Sequence, residues 1–325
     1  MVVGGISQEA QEVIMLNYVE FKELVVNTLS EAMCNIDASY ADYELSEIVV
    51  MKNNGVRLDT IIFRKKGEKV SVTPNLYVQE LYSGYSNSSG DAKKYIQEVA
   101  EYLDARIKEA ADIFPDQGEE AISDPKIIMT LVNRDKNAVL LQNVPHLDFL
   151  DLAVVFRLLV GSDNDGIQTT LITYAVAHRL EMSTEELYAA AKSSTPELCP
   201  FKETTLQKII CSLCGIEEED LPDLPNDPTM PYVFTNENGV YGASVILYDH
   251  VLEYAAEKMD SDLILLPSSI HEWLTISANT TMGYDEISEM VHSVNADVVE
   301  PEELLSDNIY IYSRENKEIH IIPME

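Results

Sequence analysis

Positive charge is scarce in this 325-residue sequence. Its 22 lysines and arginines face 56 aspartates and glutamates, a net charge of −34. An excess of that size repels nucleic-acid backbones and anionic membranes and favours solubility. No direct nucleic-acid binding and no membrane partner is therefore expected; a basic protein partner, or mimicry of a nucleic acid, fits the charge. Histidine is scarce too: the six lie at positions 146, 178, 250, 271, 292 and 320. No two fall within four residues, which removes the local histidine metal motifs. Four cysteines do not make a disulfide framework. Only one C-x-x-C occurs, Cys211 to Cys214, where zinc sites usually show two paired clusters. With Cys199 and Cys34 it could supply four thiolates or a redox pair, but an i, i+3 pair on an apolar helix face reads as core. No metal and no cofactor is expected. No run of 18 apolar residues exists, and the first residues lack the positive n-region and apolar core of a signal peptide. The expected location is cytoplasmic.

A P-loop, a G-x-G-x-x-G after a strand, a kinase motif set and H-E-x-x-H are all missing. What remains is globular in composition, with 46% hydrophobic and 24% charged residues. Residues 8 to 34 carry Val13, Leu16, Val19, Leu24, Val25 and Leu29 near a helical period. The period then becomes two, and Asn54-Gly55 between apolar runs predicts a hairpin, with Val70 to Val72 as a third strand. Five basic and two acidic residues lie between Arg57 and Lys69, a positive island read as a charged strand edge or a partner for acidic groups of the same chain. A helix is predicted from Pro74 to about Tyr82, a linker over 83–90, and a helix capped by Asp91 to about Ile113. Lys126 to Val132 and Ala138 to Gln142 could each be strand or helix. Ser183 to Glu186 is a capping box. Prolines 222, 225, 228 and 231 suggest an internal break near 217–231. Beyond it, Tyr232 to Tyr248 reads as a hairpin across Asn236–Gly239, followed by a helix to Met259. A helix over 285–294 and a hairpin across Arg314–Lys317 complete the pattern.

Two stretches hold the candidate chemistry. In Ser261 to Ile276 the apolar run Leu263–Leu266 reads as a buried strand ending at Pro267. Ser269-x-x-Glu272 then reads as a capping box opening a helix with Ile270, Trp273 and Leu274 inward. Here Ser268 or Ser269 is a candidate nucleophile, His271 its base and Glu272 a third member, against serines that simply cap and a Glu272 that is only a capping partner. The glycines of a nucleophile elbow are absent, with Pro267 and His271 in their places. In Asn143 to Gly161, His146 and Asp148 form an H-x-D pair able to orient an imidazole or share a metal, against carboxylates that cap the next element and a histidine bonded to backbone. Gly161 to Gly166 imitates a calcium loop, but Gly161 and Ile172 occupy its first and last ligand positions, so it is a turn.

The segments VPHLDFLDLAVVF, TNENGVYGASVILYDHVLEYAAEKMDSDLILLPSSIHEW and VEPEELLSDNIYIYSRE resemble a bacterial family common in gut Firmicutes, domain of unknown function 5688. The similarity runs from about Tyr18 to about Ile319. It implies a bacterial cytoplasmic or mobile-element protein of α+β type, and no catalytic residue to carry over. The expected fold is α+β, with mixed, largely antiparallel sheets and helices packed around them. Two lobes are expected, an N-terminal one over 1–145 and a C-terminal one over 146–325. The favoured function is a protein-interaction or regulatory module; the alternative is a hydrolase-like enzyme with a Ser/His/Glu or His/Asp cleft.

Overall fold

The computed structural model describes residues 15–67, 74–88, 90–113, 125–163, 166–214 and 231–323. The expected strand at 70–72 and most of the break near 217–231 lie outside them. The chain forms two compact units, one of residues 1–51 and 57–120, the other of 52–56 and 121–325.

In the first unit, Asn17 and Glu20 form a capping box that starts α1 (Tyr18–Ile36). Phe21, Val25, Leu29 and Met33, four apart, are its buried stripe. Val19, expected inward, is exposed, because the buried row begins two residues later. β1 (Tyr43–Met51) and β2 (Arg57–Lys65) pair from Tyr43↔Lys65 to Met51↔Arg57. Asn54 and Gly55 at the turn both have positive φ, as the Asn-Gly signal demands. β3 (Asn75–Tyr77) adds to β2. The residues after Pro74 thus extend the sheet, and α2 begins later than expected (Val78–Ser86). This helix takes up the first half of the expected linker. The Asp91 carboxylate accepts the Lys93 and Lys94 amides and caps α3 (Ala92–Ile113), as read from sequence. Within the basic island, Arg64 pairs with Glu44 across the hairpin, and Lys66 donates to the Ala41 carbonyl.

The second unit holds two antiparallel sheets that share a core. β4 (Ile127–Asn133), β5 (His146–Phe149), β6 (Leu152–Asp163) and β7 (Gly166–Leu171) form a four-stranded sheet around β6. α4 (Ala138–Leu141) joins β4 to β5, and α5 (Tyr174–Arg179) follows β7. Ser183 and Glu186 form the expected capping box at the start of α6 (Thr184–Leu198). From α6, the Ser194 hydroxyl donates to the Ile127 carbonyl and Thr195 Oγ1 accepts the Met129 amide at 3.0 Å, which satisfies the outer edge of β4.

The second sheet is six-stranded, in the order β13-β12-β10-β11-β9-β8. Its strands are β8 (Phe201–Thr205), β9 (Tyr232–Asn236), β10 (Leu263–Ser269), β11 (Glu272–Ser277), β12 (Tyr310–Ser313) and β13 (Glu318–Ile321). α7 (Leu206–Leu213) follows β8, α8 (Val251–Met259) precedes β10, and α9 (Tyr284–Asp297) follows β11. Alternation divides the residues of β10: Leu263 and Leu265 join Met129, Phe156 and Trp273 in the shared core. Ile264 and Leu266 face the other way, packed with Ile276 and with Ile287 and Val291 of α9. Each fully buried side chain of this size contributes roughly 1.5–3 kcal/mol. The fold is α+β, and every strand pairing among the described residues is antiparallel. No helix among them is long and apolar enough to cross a membrane.

Val240 to Tyr248 is not a strand. Residues Gly242–Leu247 form a 3-10 helix with its first five residues buried. A Cβ on Gly242 would meet Thr235 Oγ1 at 2.2 Å and the His271 carbonyl at 2.4 Å. Only glycine permits that approach.

Candidate functional site

The Ser269–Glu272 stretch is a hairpin turn, which corrects the expected helix. β10 and β11 pair through Pro267↔Trp273 and then Ser269↔Glu272, leaving Ile270 and His271 as the connection. Pro267 does not end the strand, because the β10–β12 pairing stops at Leu265↔Tyr310 and only β11 remains beside it. Ser269 is buried, and its Oγ accepts the His271 amide at 3.0 Å. The Ile270 amide donates to the Glu303 carbonyl at 2.8 Å, and the Thr235 hydroxyl donates to the His271 carbonyl at 2.9 Å. Ser268 Oγ lies 3.4 Å from Glu272 Oε1.

The His271 ring is held from both nitrogens. Nδ1 accepts the Tyr241 amide at 3.1 Å, so the proton of the neutral ring sits on Nε2, 3.4 Å from Glu303 Oε1. Tyr241 has φ +55, a conformation that a bulky residue adopts only when its surroundings impose it. Its ring lies 5.9 Å from the imidazole, and the Arg157 guanidinium stands 4.5 Å from its centroid. Arg157 Nε also donates to Thr169 at 2.7 Å. The result is a chain from arginine through tyrosine and histidine to glutamate. Ser269 makes no hydrogen bond to the imidazole among the described residues.

His146 and Asp148 lie on the same face of β5, opposite Val155 and Ala153. His146 Nδ1 is 2.9 Å from the Val144 carbonyl, and Asp148 is exposed. No hydrogen bond or ion pair among the described residues joins this pair to Ser269, His271 or Glu272. The four cysteines are free thiols: Cys199 buried, Cys34 and Cys211 half-buried, Cys214 exposed. Burial pushes the Cys199 thiol up. Among the described residues no group of three or more His, Cys, Asp or Glu side chains could hold a metal ion.

Sequence reasoning missed Tyr241, Glu303, Arg157 and Thr235. The Tyr241-Gly242 step was the available signal, a bulky residue and a glycine at one tight place. Nothing set Glu303 apart from its acidic neighbours. Asp151 is a latch for residues 306–310. Its Oδ2 accepts Ser306 Oγ at 2.7 Å and Asn308 Nδ2 at 2.9 Å, and its Oδ1 accepts the Tyr310 hydroxyl at 2.6 Å.

Residues 300–308 connect this cluster to α9. Asn295 Nδ2 donates to the Ser306 carbonyl and to Asp307 Oδ1, both at 3.0 Å. With Ile287 and Val291 on the sheet, the outer face of α9 is carried on a fixed element. The exposed side of α9 carries Met290 and Val294, with Val298 just beyond the helix, and Tyr284 is exposed at the first residue. Asp285, Glu286, Glu289 and Asp297 are exposed on the same helix, and it has no lysine or arginine. By helical spacing Glu286 and Asp297 stand beside Met290 and Val294, whereas Asp285 and Glu289 lie on the opposite flank.

A family model described as "Family of unknown function (DUF5688)" matches residues 18–314. The chain belongs to this family. The DUF5688 match takes in the hairpin turn, Asp151, Tyr241, Glu303 and all of α9. No curated protein and no solved structure matches the chain.

Proposed function

We propose that this DUF5688 member is a cytoplasmic bacterial protein-interaction module whose α9 face binds a basic, amphipathic segment of a partner protein. The observation that carries the reading is the combination of exposed Met290 and Val294 with Glu286 and Asp297, which helical spacing puts on one flank of α9. Apolar side chains supply contact area, and carboxylates select a basic partner and speed its encounter. The net charge of −34 extends the same selection over the whole chain.

Affinity capture from the native host tests this, with wild type beside a Met290→Ser, Val294→Ser variant. A basic protein held by wild type, released by salt and not held by the variant is the expected result. The same proteins on both baits would overturn the reading. Displacement of the partner by DNA would identify the acidic face as a nucleic-acid mimic.

A further inference from the structure

A second feature of this chain lies between α8 and the β12–β13 turn. There a cavity of about 190 Å³ is lined by Glu253, Ala256, Glu257, Tyr312, Arg314 and Lys317. Its charges are sorted. Glu253 and Glu257, four apart and so on one helix face, form one wall. Arg314 and Lys317, from the turn, form the other. Two carboxylates against two cations leave the lining neutral, in a chain that carries −34 overall.

The cationic wall is built rather than incidental. The Arg314 amide donates to Asp262 Oδ1 and its Nη1 to Asp260 Oδ1, both at 2.9 Å. Lys317 has φ +56, and its amide donates to the Ser313 carbonyl at 2.8 Å. Tyr312, which also lines the cavity, is only 4% exposed, and its hydroxyl has no hydrogen-bond partner among the described residues. The hydroxyl itself is not sealed in the core, so a ligand in the cavity can reach it. Burial raises the Tyr312 phenol; Glu253 and Glu257 add to the rise and Lys317 opposes it. Lys317 and Glu253 pair across the space at 3.0 Å, with His250 on the far side of Glu253 at 3.3 Å. An ion pair this exposed is easily re-partnered. Glu257 has no ion pair among the described residues.

We propose that this cavity binds a small zwitterion, an α-amino acid. Its ammonium lies against Glu253 and Glu257, its carboxylate against Arg314 and Lys317, and the Tyr312 hydroxyl bonds the ligand between them. A simple anion would face two carboxylates, and a simple amine two cations. The volume is below the roughly 300–1,000 Å³ of drug-sized sites, which excludes a nucleotide-sized ligand.

The test is amide chemical-shift titration of the full chain with L-alanine, acetate and methylammonium. The expected result is a saturable shift with alanine, confined to residues around 253–257 and 312–317. Acetate and methylammonium should each bind about tenfold more weakly or less. Glu257→Gln and Tyr312→Phe should each weaken alanine binding severalfold while leaving distant amide positions unchanged. No saturable shift up to about 50 mM alanine overturns the proposal. So does binding that acetate reproduces, or that neither substitution affects.

Discussion

His271 Nδ1 accepts a hydrogen bond from the backbone amide of Tyr241 at 3.1 Å, and this contact holds a tyrosine at φ +55. The imidazole thus serves first as a backbone acceptor. His271→Ala should lower stability by about 1–2 kcal/mol, the usual effect of removing one partner from a hydrogen bond. Asparagine places an oxygen near Nδ1, so His271→Asn should recover most of the loss. Urea unfolding of the three proteins checks this; equal loss in both variants would show that the acceptor role is incidental.

Gly242 lies against the same turn. Its added Cβ would meet backbone as well as side chain, including the Asn236 amide nitrogen at 2.8 Å. Gly242→Ala should therefore destabilise the protein by about 3 kcal/mol, the upper range for overpacking. A wild-type unfolding midpoint for this variant would mean that the Thr235–Gly242–His271 contact is wrongly placed.

The Asp151 latch predicts an order of effects. Asp151→Asn disturbs three hydrogen bonds to a carboxylate and should cost about 3 kcal/mol, whereas Tyr310→Phe removes one donor and should cost about 1 kcal/mol. Thermal unfolding with both variants measures the order, and the reverse would contradict the latch.

Alkaline pH should act through the tyrosines. Burial, then the Asp59 hydrogen bond, raises Tyr18 from 10.0 to about 12. Tyr310 is pushed up by burial and by Asp151. Ionisation is thus harder in the folded state than in the unfolded one. The stability linked to these groups is fully present below pH 10 and is lost as pH rises, for Tyr18 between 10 and about 12. Unfolding midpoints followed from neutral pH to above 10 should fall in that window, with tyrosinate absorbance lagging until the chain opens. A midpoint that stays level through it would contradict the assignment.

Local chemistry made much of the fold legible in the sequence. Asn54-Gly55 needs positive φ at both positions, and Ser183 with Glu186, or Asp91 alone, satisfies the first amides of a helix. Ser269-x-x-Glu272 carries the same letters as a capping box, yet forms a turn. The difference is tertiary: Pro267 and Trp273 pair across the hairpin, and Glu303 takes the Ile270 amide from 33 residues away. Val240 to Tyr248 misled for a related reason. Burial on all sides removes the alternation that separates strand from 3-10 helix. The His271 cluster was half legible, because Glu303, Tyr241 and Arg157 reach it from separate elements.

In the proposed function, α9 presents an acidic and apolar face to a basic partner. The most direct measurement is the affinity of the captured partner, purified, for wild type and for a Glu286→Gln, Asp297→Asn variant across a salt series. Wild-type affinity should fall steeply with salt, and the variant should bind more weakly at low salt with a shallower dependence. Affinity that ignores salt, or that is the same for both proteins, would contradict the account.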